Sequence, residues 1–485
     1  MKICFVNPAP VSYIIERGHE TSGAYPPLGI LSIVAYLKSK GYNRNILIDQ
    51  HATKIPTNQV LKKIKQFDPS IIGFNSITDI NMGVQAVKIA RRVKKFNPNV
   101  KIVFGNYHAT FNHDRLLEKY PFIDICVRGE AELTFHELVE MIEREGDLRD
   151  VRGITYRDSK GNIKINQQRP LIEDLDTLPF PDRSLIQNIE YSQNYGGLNA
   201  DYGMFTTIQS SRGCTFNCGF CSQSKLTNQQ WRAKSVDRVI EELQYLKELG
   251  YSNLYWVDDN FTNKPKRTIE LCRAIRKNNL DFIWISEQRV DLVSRDLIEN
   301  MQKAGCRTIS LGIESATQRI IDYFNKQITP KMALDAAKII TKSDIDFLIG
   351  TFVIGAPTET LTEIKKTFAF ARQLEIDFPQ FHIFGAIPGT EVWDDLVESG
   401  KIDPDKYWET GVKTLVPSLE VVENEMKQAY IDFMNRPKFL LKQIFKTIKS
   451  IHRLKILISN IGFLMDIKNV ERFFDFTINT WTHGI

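Results

Sequence analysis

Cys214, Cys218 and Cys221 lie in one run, Ser210-Ser211-Arg212-Gly213-Cys214-Thr215-Phe216-Asn217-Cys218-Gly219-Phe220-Cys221, spaced C-x3-C-x2-C. Thiolates at this spacing suit an iron-sulfur cluster. A four-iron cubane needs four ligands, so three from one loop leave one iron open for chemistry. A zinc knuckle would need a fourth ligand close downstream, yet the next cysteine is Cys272 and the next histidine is His382. A disulfide loop and three buried thiols are the remaining readings, and the glycines at 213 and 219 speak against core packing.

Such a loop needs a scaffold, and the chain is long enough to supply one. At 485 residues it exceeds the size at which a single core keeps growing, so two or three domains are expected. Its 42% hydrophobic and 25% charged content is that of a globular protein. Seven cysteines, four of them scattered singly (Cys4, Cys126, Cys272, Cys306), do not form a disulfide framework. No signal-peptide pattern and no apolar run of about 18 residues occurs, so a cytoplasmic, reducing location is expected.

Residues 1–145 alternate short apolar runs, expected as strands at 2–6, 45–48, 71–75, 101–105 and 123–128, with helical periods at 28–39, 58–66, 82–95 and 133–145. This alternation predicts a doubly wound, flavodoxin-like parallel sheet, whose ligands bind beyond the carboxyl ends of the strands. The loops there hold Asn7-Pro8, Ser76-Ile77-Thr78, the stretch Gly105 to Thr110, and Arg128-Gly129-Glu130. None carries G-x-G-x-x-G or a P-loop, which argues against a dinucleotide or ATP site. Residues 146–200 read as a linker containing a hairpin, closed by Leu178-Pro179-Phe180-Pro181, which forbids helix.

From 201 to 400 the alternation resumes, with strands expected at 254–257, 282–286, 308–311, 347–354 and 380–384. About six such units predict a partial (β/α)6 barrel with its chemistry at the carboxyl-terminal rim. The expected strand ends carry Asp258-Asp259, Arg289, Glu314 and Thr358-Glu359. Carboxylates there are expected to face a cofactor's amine and hydroxyls, with helix capping the alternative for Thr358 and Glu359.

Four pieces of the front domain, Asn7-Pro8, Pro26-Pro27-Leu28-Gly29, Gly105-x-x-His108-Ala109-Thr110 and Arg128-Gly129-Glu130, resemble the cobalamin-binding domain that precedes many radical SAM proteins. The resemblance implies that Ser76, Thr78, Gly105, His108, Arg128 and Glu130 contact cobalamin. The D-x-H-x-x-G motif that would put a histidine below cobalt is absent after the first strand, and Asp49-Gln50-His51 follows the second with Lys54 where glycine is expected. From about 205 to 390 the chain resembles the radical SAM enzymes, through the cysteine motif, Asp258-Asp259-x-Phe261-Thr262, Gly312-Ile313-Glu314-Ser315, Gly355-x-Pro357-x-Glu359-Thr360 and Pro388-Gly389-Thr390. That resemblance implies a [4Fe-4S] cluster on the three cysteines and S-adenosylmethionine (SAM) on the open iron. It also implies Phe220 near the adenine, cofactor contacts from Asp259, Arg289 and Glu314, and an electron donor such as ferredoxin or flavodoxin.

Residues 401–485 read as a helical tail. Lys438, Lys442, Lys446, Lys449 and Arg453 repeat every three or four residues and would form one cationic helix face, with Leu441, Ile444, Phe445, Ile448 and Ile451 on another. Such a helix suits either an anionic membrane surface or docking on the barrel with its lysines in water. No aromatic interleaving supports nucleic acid, and a net charge of +5 adds nothing to that case. The function expected is methylation of an unactivated carbon in a lipid or other hydrophobic small molecule. Radical cyclisation, ring rearrangement or carbon-carbon coupling is the enzymatic alternative, and a membrane-associated cofactor sensor the non-catalytic one. A methylthiotransferase would need three further cysteines in the front domain, where only Cys4 and Cys126 occur.

Overall fold

The computed structural model describes residues 1–10, 24–76, 80–192, 194–195, 198–199, 203–406 and 418–459. Five parallel strands, β1 (Ile3–Asn7), β2 (Asn45–Asp49), β3 (Ile71–Asn75), β4 (Lys101–Gly105) and β5 (Ile125–Val127), run in the order β2-β1-β3-β4-β5. Their side chains alternate between two cores. Cys4, Val6, Ile72 and Phe74 pack on one face, and Ile3, Phe5, Ile71 and Val103 on the other. Burial on both faces is why these strands read as continuous apolar runs.

The hairpin of the expected linker belongs to this sheet. β6 (Ile154–Arg157) pairs antiparallel with β5, and β7 (Ile163–Ile165) antiparallel with β6. The sequence reading divided domain from linker at 145, because a hairpin's own turn does not reveal which edge it joins. Beyond it the chain is anchored on the barrel. Arg183 is fully buried, donates to the Thr207 carbonyl at 2.7 Å and lies 3.6 Å from the buried Glu242, which Lys234 also meets at 2.6 Å.

Six parallel strands build the second sheet in chain order: β8 (Met204–Ile208), β9 (Tyr251–Trp256), β10 (Ile283–Arg289), β11 (Cys306–Glu314), β12 (Phe347–Ile354) and β13 (Phe378–Ile383). The expected architecture, a doubly wound front domain followed by a partial barrel and a helical tail, is the one found. Strands β10 and β11 run past their apolar cores to Arg289 and Glu314. The alternate residues there face the barrel interior and are polar, so hydropathy stops short of a ladder that continues through Arg289↔Gly312. Two short helices after β4, Asn106–Phe111 and His113–Lys119, also escaped the pattern because each is too short to show a period.

The tail departs most from expectation. The basic segment is two helices, Pro437–Lys449 and Ile451–Ser459, broken at Ser450 by its extended backbone (φ −117°, ψ 112°). Three of the five cations expected on one face pair with acids of the barrel, while Lys438 and Lys449 stay exposed. Lys446 and Arg453 meet Asp377 at 2.8 and 3.3 Å, and Lys442 meets Glu375 at 3.0 Å. Asp377 is buried at the edge of β13, where a carboxylate without partners is costly, so Lys446 and Arg453 turn inward and the apolar stripe is left outside. Among the described residues, no helix is long and apolar enough to cross a membrane.

Candidate active site

The cysteine loop follows β8 and is fastened by the segment after β9. Asp258, fully buried, accepts from Ser210 N at 3.0 Å and from the Ser210 and Ser211 hydroxyls at 2.8 and 2.5 Å. Asp259 accepts from Gly213 N at 2.6 Å, and Asn263 Oδ1 accepts from Thr215 N and Oγ1 at 3.3 and 3.1 Å. Asp259, expected on a cofactor, thus holds the loop's backbone. Gly213 is required where it stands: its φ is +87°, and a Cβ there would lie 2.0 Å from the Gln230 carbonyl oxygen. Gly213→Ala is expected to cost about 3 kcal/mol through strain and displacement of the loop, read as a lowered thermal midpoint together with lowered iron content after anaerobic reconstitution.

On its other side the loop leans on the segment 324–326. Gly219 N donates to the Phe324 carbonyl at 2.7 Å, Asn325 Nδ2 donates to the Asn217 carbonyl at 2.9 Å, and Phe220 packs edge-on to Phe324 with ring centroids 5.0 Å apart. Arg289 reaches in from the end of β10. Its guanidinium lies 3.7 Å from the Phe216 ring centre, donates to Cys218 Sγ at 3.3 Å and to the Lys326 carbonyl at 2.7 Å, and pairs with Asp291. Lys326 pairs with Glu314, whose φ of +66° turns it off the end of β11. Burial raises the thiols, Cys221 up to about 12; at Cys218 the charges of Lys326 and Arg289 pull the other way. All three cysteines are free. Among the described residues no His, Cys, Asp or Glu group is gathered as a single ion's ligands are, whereas a cubane takes each thiolate on a separate iron. Lys326, Asn325 and Asn263 were not foreseen. The positive φ of Asn325 and Gln327, a turn in Asn-Lys-Gln, is the one local signal that could have drawn attention there.

The front sheet presents its carboxyl ends to this loop. A ladder of side chains crosses them: Asn106 donates to Asn75 at 2.7 Å, Asn75 to Asn7 at 2.9 Å, and Asn7 to Asp49 at 2.9 Å, with Tyr191 donating to Asp49 at 2.8 Å. Asp49 also caps the short helix Gln50–Thr53 through Ala52 N, which accounts for the Asp-x-His fragment without a metal. Ser76 Oγ and His108 Nδ1 lie 2.9 Å apart, and burial holds His108 well below its ordinary range, so it is neutral. A Cβ on Gly105 would meet nothing within 4 Å, so the backbone at the carboxyl end of β4 is unobstructed there. Thr78 lies outside the described residues. Arg128 and Glu130 stand apart from this group. Arg128 donates to the Ile154 and Asn166 carbonyls, tying the hairpin down. Glu130 meets Arg232 at 2.9 Å and Arg212 at 3.3 Å, while Arg212 also meets Glu132 at 2.6 Å.

These contacts cross between domains, for Arg212 precedes the cysteine loop by two residues. Two more do the same. Tyr107, half-buried near Asp259 and Cys221, accepts from Gln223 Nε2. Gly389, at φ +84°, lies flat on Phe111, whose ring a Cβ would approach to 2.4 Å. The loops after β4 and β8 therefore face each other across one junction.

At the far rim Glu359 accepts from Gly355 N and Ala356 N at 2.6 and 3.2 Å, while Thr360, with Glu363, caps the following helix. Burial pushes the Glu359 carboxyl from 4.5 up to about 7. The native state then holds this proton more tightly than the unfolded chain, so the group's contribution is greatest below pH 4.5 and is lost as pH rises through about 7. Glu359→Gln keeps the acceptor and removes the charge. It is expected to gain on the order of 2 kcal/mol on the wild type between about pH 5 and pH 8, measured as the difference in unfolding free energy at the two ends.

A doubly wound domain with an open carboxyl edge, set against a half-barrel with three thiols at its rim, defines a two-cofactor enzyme. Residues 208–371 match the model of the radical SAM superfamily and residues 18–139 that of the B12 binding domain. An uncharacterised methyltransferase of Pyrococcus horikoshii is 35% identical over 452 residues, 92% of this chain and 95% of the relative. An anaerobic magnesium-protoporphyrin IX monomethyl ester cyclase of Rubrivivax gelatinosus is 29% identical over 84% of this chain and 72% of its own. In fold, the chain resembles the radical SAM methyltransferase TsrM from Kitasatospora setae, with TM-score 0.66, 15% identity, and 82% of this chain and 75% of that one covered. It also resembles the cobalamin-dependent radical SAM enzyme OxsB, with TM-score 0.69, 18% identity, and 100% and 76% covered. The chain belongs to the radical SAM superfamily, among those enzymes that carry a B12 binding domain. Its cofactors are SAM, an iron-sulfur cluster and cobalamin.

Proposed function

We propose that this enzyme methylates an unactivated carbon of a lipid or other hydrophobic small molecule. In this reading Cys214, Cys218 and Cys221 hold a [4Fe-4S] cluster, Phe220 lies near the adenine of SAM, Glu314 offers an anionic acceptor to its amino group, and Lys326 a cationic donor to its carboxylate. Arg289 donates to Cys218 and orients the loop. Asn7, Asn75, Ser76, Gly105 and His108 line the cobalamin face. Bound in these places, a cluster would supply the electron for reductive cleavage of SAM, and cobalamin a carrier for the methyl group. The chain's own task is to set the two sites face to face and keep water out.

One observation carries the reading: Gln223, two residues after Cys221, bonds Tyr107 in the loop after β4, so groups held by the two loops would meet across a single junction. The likeness to the cyclase favours a second reading, cyclisation or coupling without methyl transfer. SAM labelled in its methyl group separates the two. Label in the product is expected; 5'-deoxyadenosine with an unlabelled, rearranged product would replace methyl transfer by the second reading. A one-electron donor of the ferredoxin or flavodoxin type and peripheral contact with a membrane complete the proposal.

A further inference from the structure

Nine of the seventeen large apolar side chains exposed among the described residues fall between Leu440 and Ile458. Leu441, Ile444, Phe445 and Ile448 follow one another at i, i+3, i+4 and i+7, forming one stripe on the first tail helix, and Ile451 and Ile458 extend it along the second. Ile448 is 75% and Ile451 67% exposed, so these are not core residues caught at an edge. A concentration of this kind marks an interaction surface. The sequence around it restricts the partner: no acidic residue occurs from 433 to 465, and Lys438, Lys449 and Lys455 are exposed on the same two helices. Two copies of the chain meeting through this stripe would bring lysine against lysine. A negatively charged surface with an apolar interior meets both features at once.

We propose that these helices dock the enzyme on an anionic lipid bilayer, with Leu441, Ile444, Phe445, Ile448 and Ile451 entering the headgroup layer and the three lysines meeting lipid phosphates. The ion pairs of Lys446 and Arg453 with Asp377 fix the helices to the barrel, so the stripe is presented as a rigid face rather than formed on contact. As an account of substrate supply, the docking rests on the reading of a lipid or hydrophobic substrate; the binding itself does not.

The test uses the full chain and vesicles of phosphatidylglycerol with phosphatidylcholine, against vesicles of phosphatidylcholine alone. The wild type is expected to prefer the anionic vesicles. Phe445→Ser with Ile448→Ser should lower its partition coefficient about tenfold or more, and Lys438→Gln, Lys449→Gln and Lys455→Gln together about a hundredfold on anionic vesicles only. Reductive cleavage of SAM in buffer, unchanged in both variants, serves as the folding control. Equal partition of variants and wild type would overturn the proposal. So would a wild-type dimer that the serine variant returns to monomer without any vesicle binding. Absence of label in the product would leave the vesicle result standing, and absence of vesicle binding would leave methyl transfer standing.

Discussion

Cys218→Ala, prepared and reconstituted without oxygen, will retain background iron and sulfide and will release no 5'-deoxyadenosine from SAM. The expected loss is complete rather than graded. On the proposed reading, a cubane held by three thiolates has no protein ligand in reserve. Cys218 is the most informative of the three because Arg289 donates to its sulfur, and the charges of Arg289 and Lys326 favour its thiolate against burial. Removing it takes an acceptor from Arg289, which stays paired with Asp291, so the loop loses a contact as well as a ligand. The control is Cys272→Ala. That thiol is buried in the barrel's outer core, and its loss should cost on the order of 1 kcal/mol while leaving iron at the wild-type level. Wild-type iron and sulfide in Cys218→Ala would end the assignment of the loop as a cluster site.

The cysteine loop drew attention because the chemistry proposed for it depends on spacing along the chain, and the front sheet was legible because burial on both faces leaves unbroken apolar runs. What surrounds the loop was not, because Lys326 and Asn263 reach it only through the fold and neither sits in a pattern of its own. Glu130 shows the converse case. Its neighbours Arg128 and Gly129 made a motif that suggested a ligand, yet its partners Arg212 and Arg232 are 82 and 102 residues away in the chain. In the tail, periodicity separated a cationic from an apolar face but could not say which one turns inward. A buried carboxylate, Asp377, decides that, and nothing within the helix announces it.

The contrast at Glu130 yields the second large effect. Burial works to raise its pKa, but the hydrogen bond from Arg232, the charge of Arg212 and the amide of Ile172 outweigh it and hold the carboxyl below its ordinary value of 4.5. A carboxylate so depressed adds stability above that value and loses it as pH falls through the native one, so the junction should loosen in acid. Glu130→Gln removes the charge at every pH and leaves Arg212 with the charge of Glu132 alone and Arg232 with only the Ile172 carbonyl. The expected cost is about 3 kcal/mol, since breaking one partner of such a network leaves the other uncompensated. Calorimetry should show a lowered midpoint whose deficit shrinks toward low pH, where the wild type has lost the same contribution. Adding Arg232→Gln should recover part of the loss, because the second change removes the stranded charge. Were Glu130 instead a cofactor contact, as the motif suggested, the single variant would keep its midpoint and lose bound cobalamin. A stable variant that purifies without cobalamin would therefore return Glu130 to the cofactor and leave the Arg212 bridge a minor one.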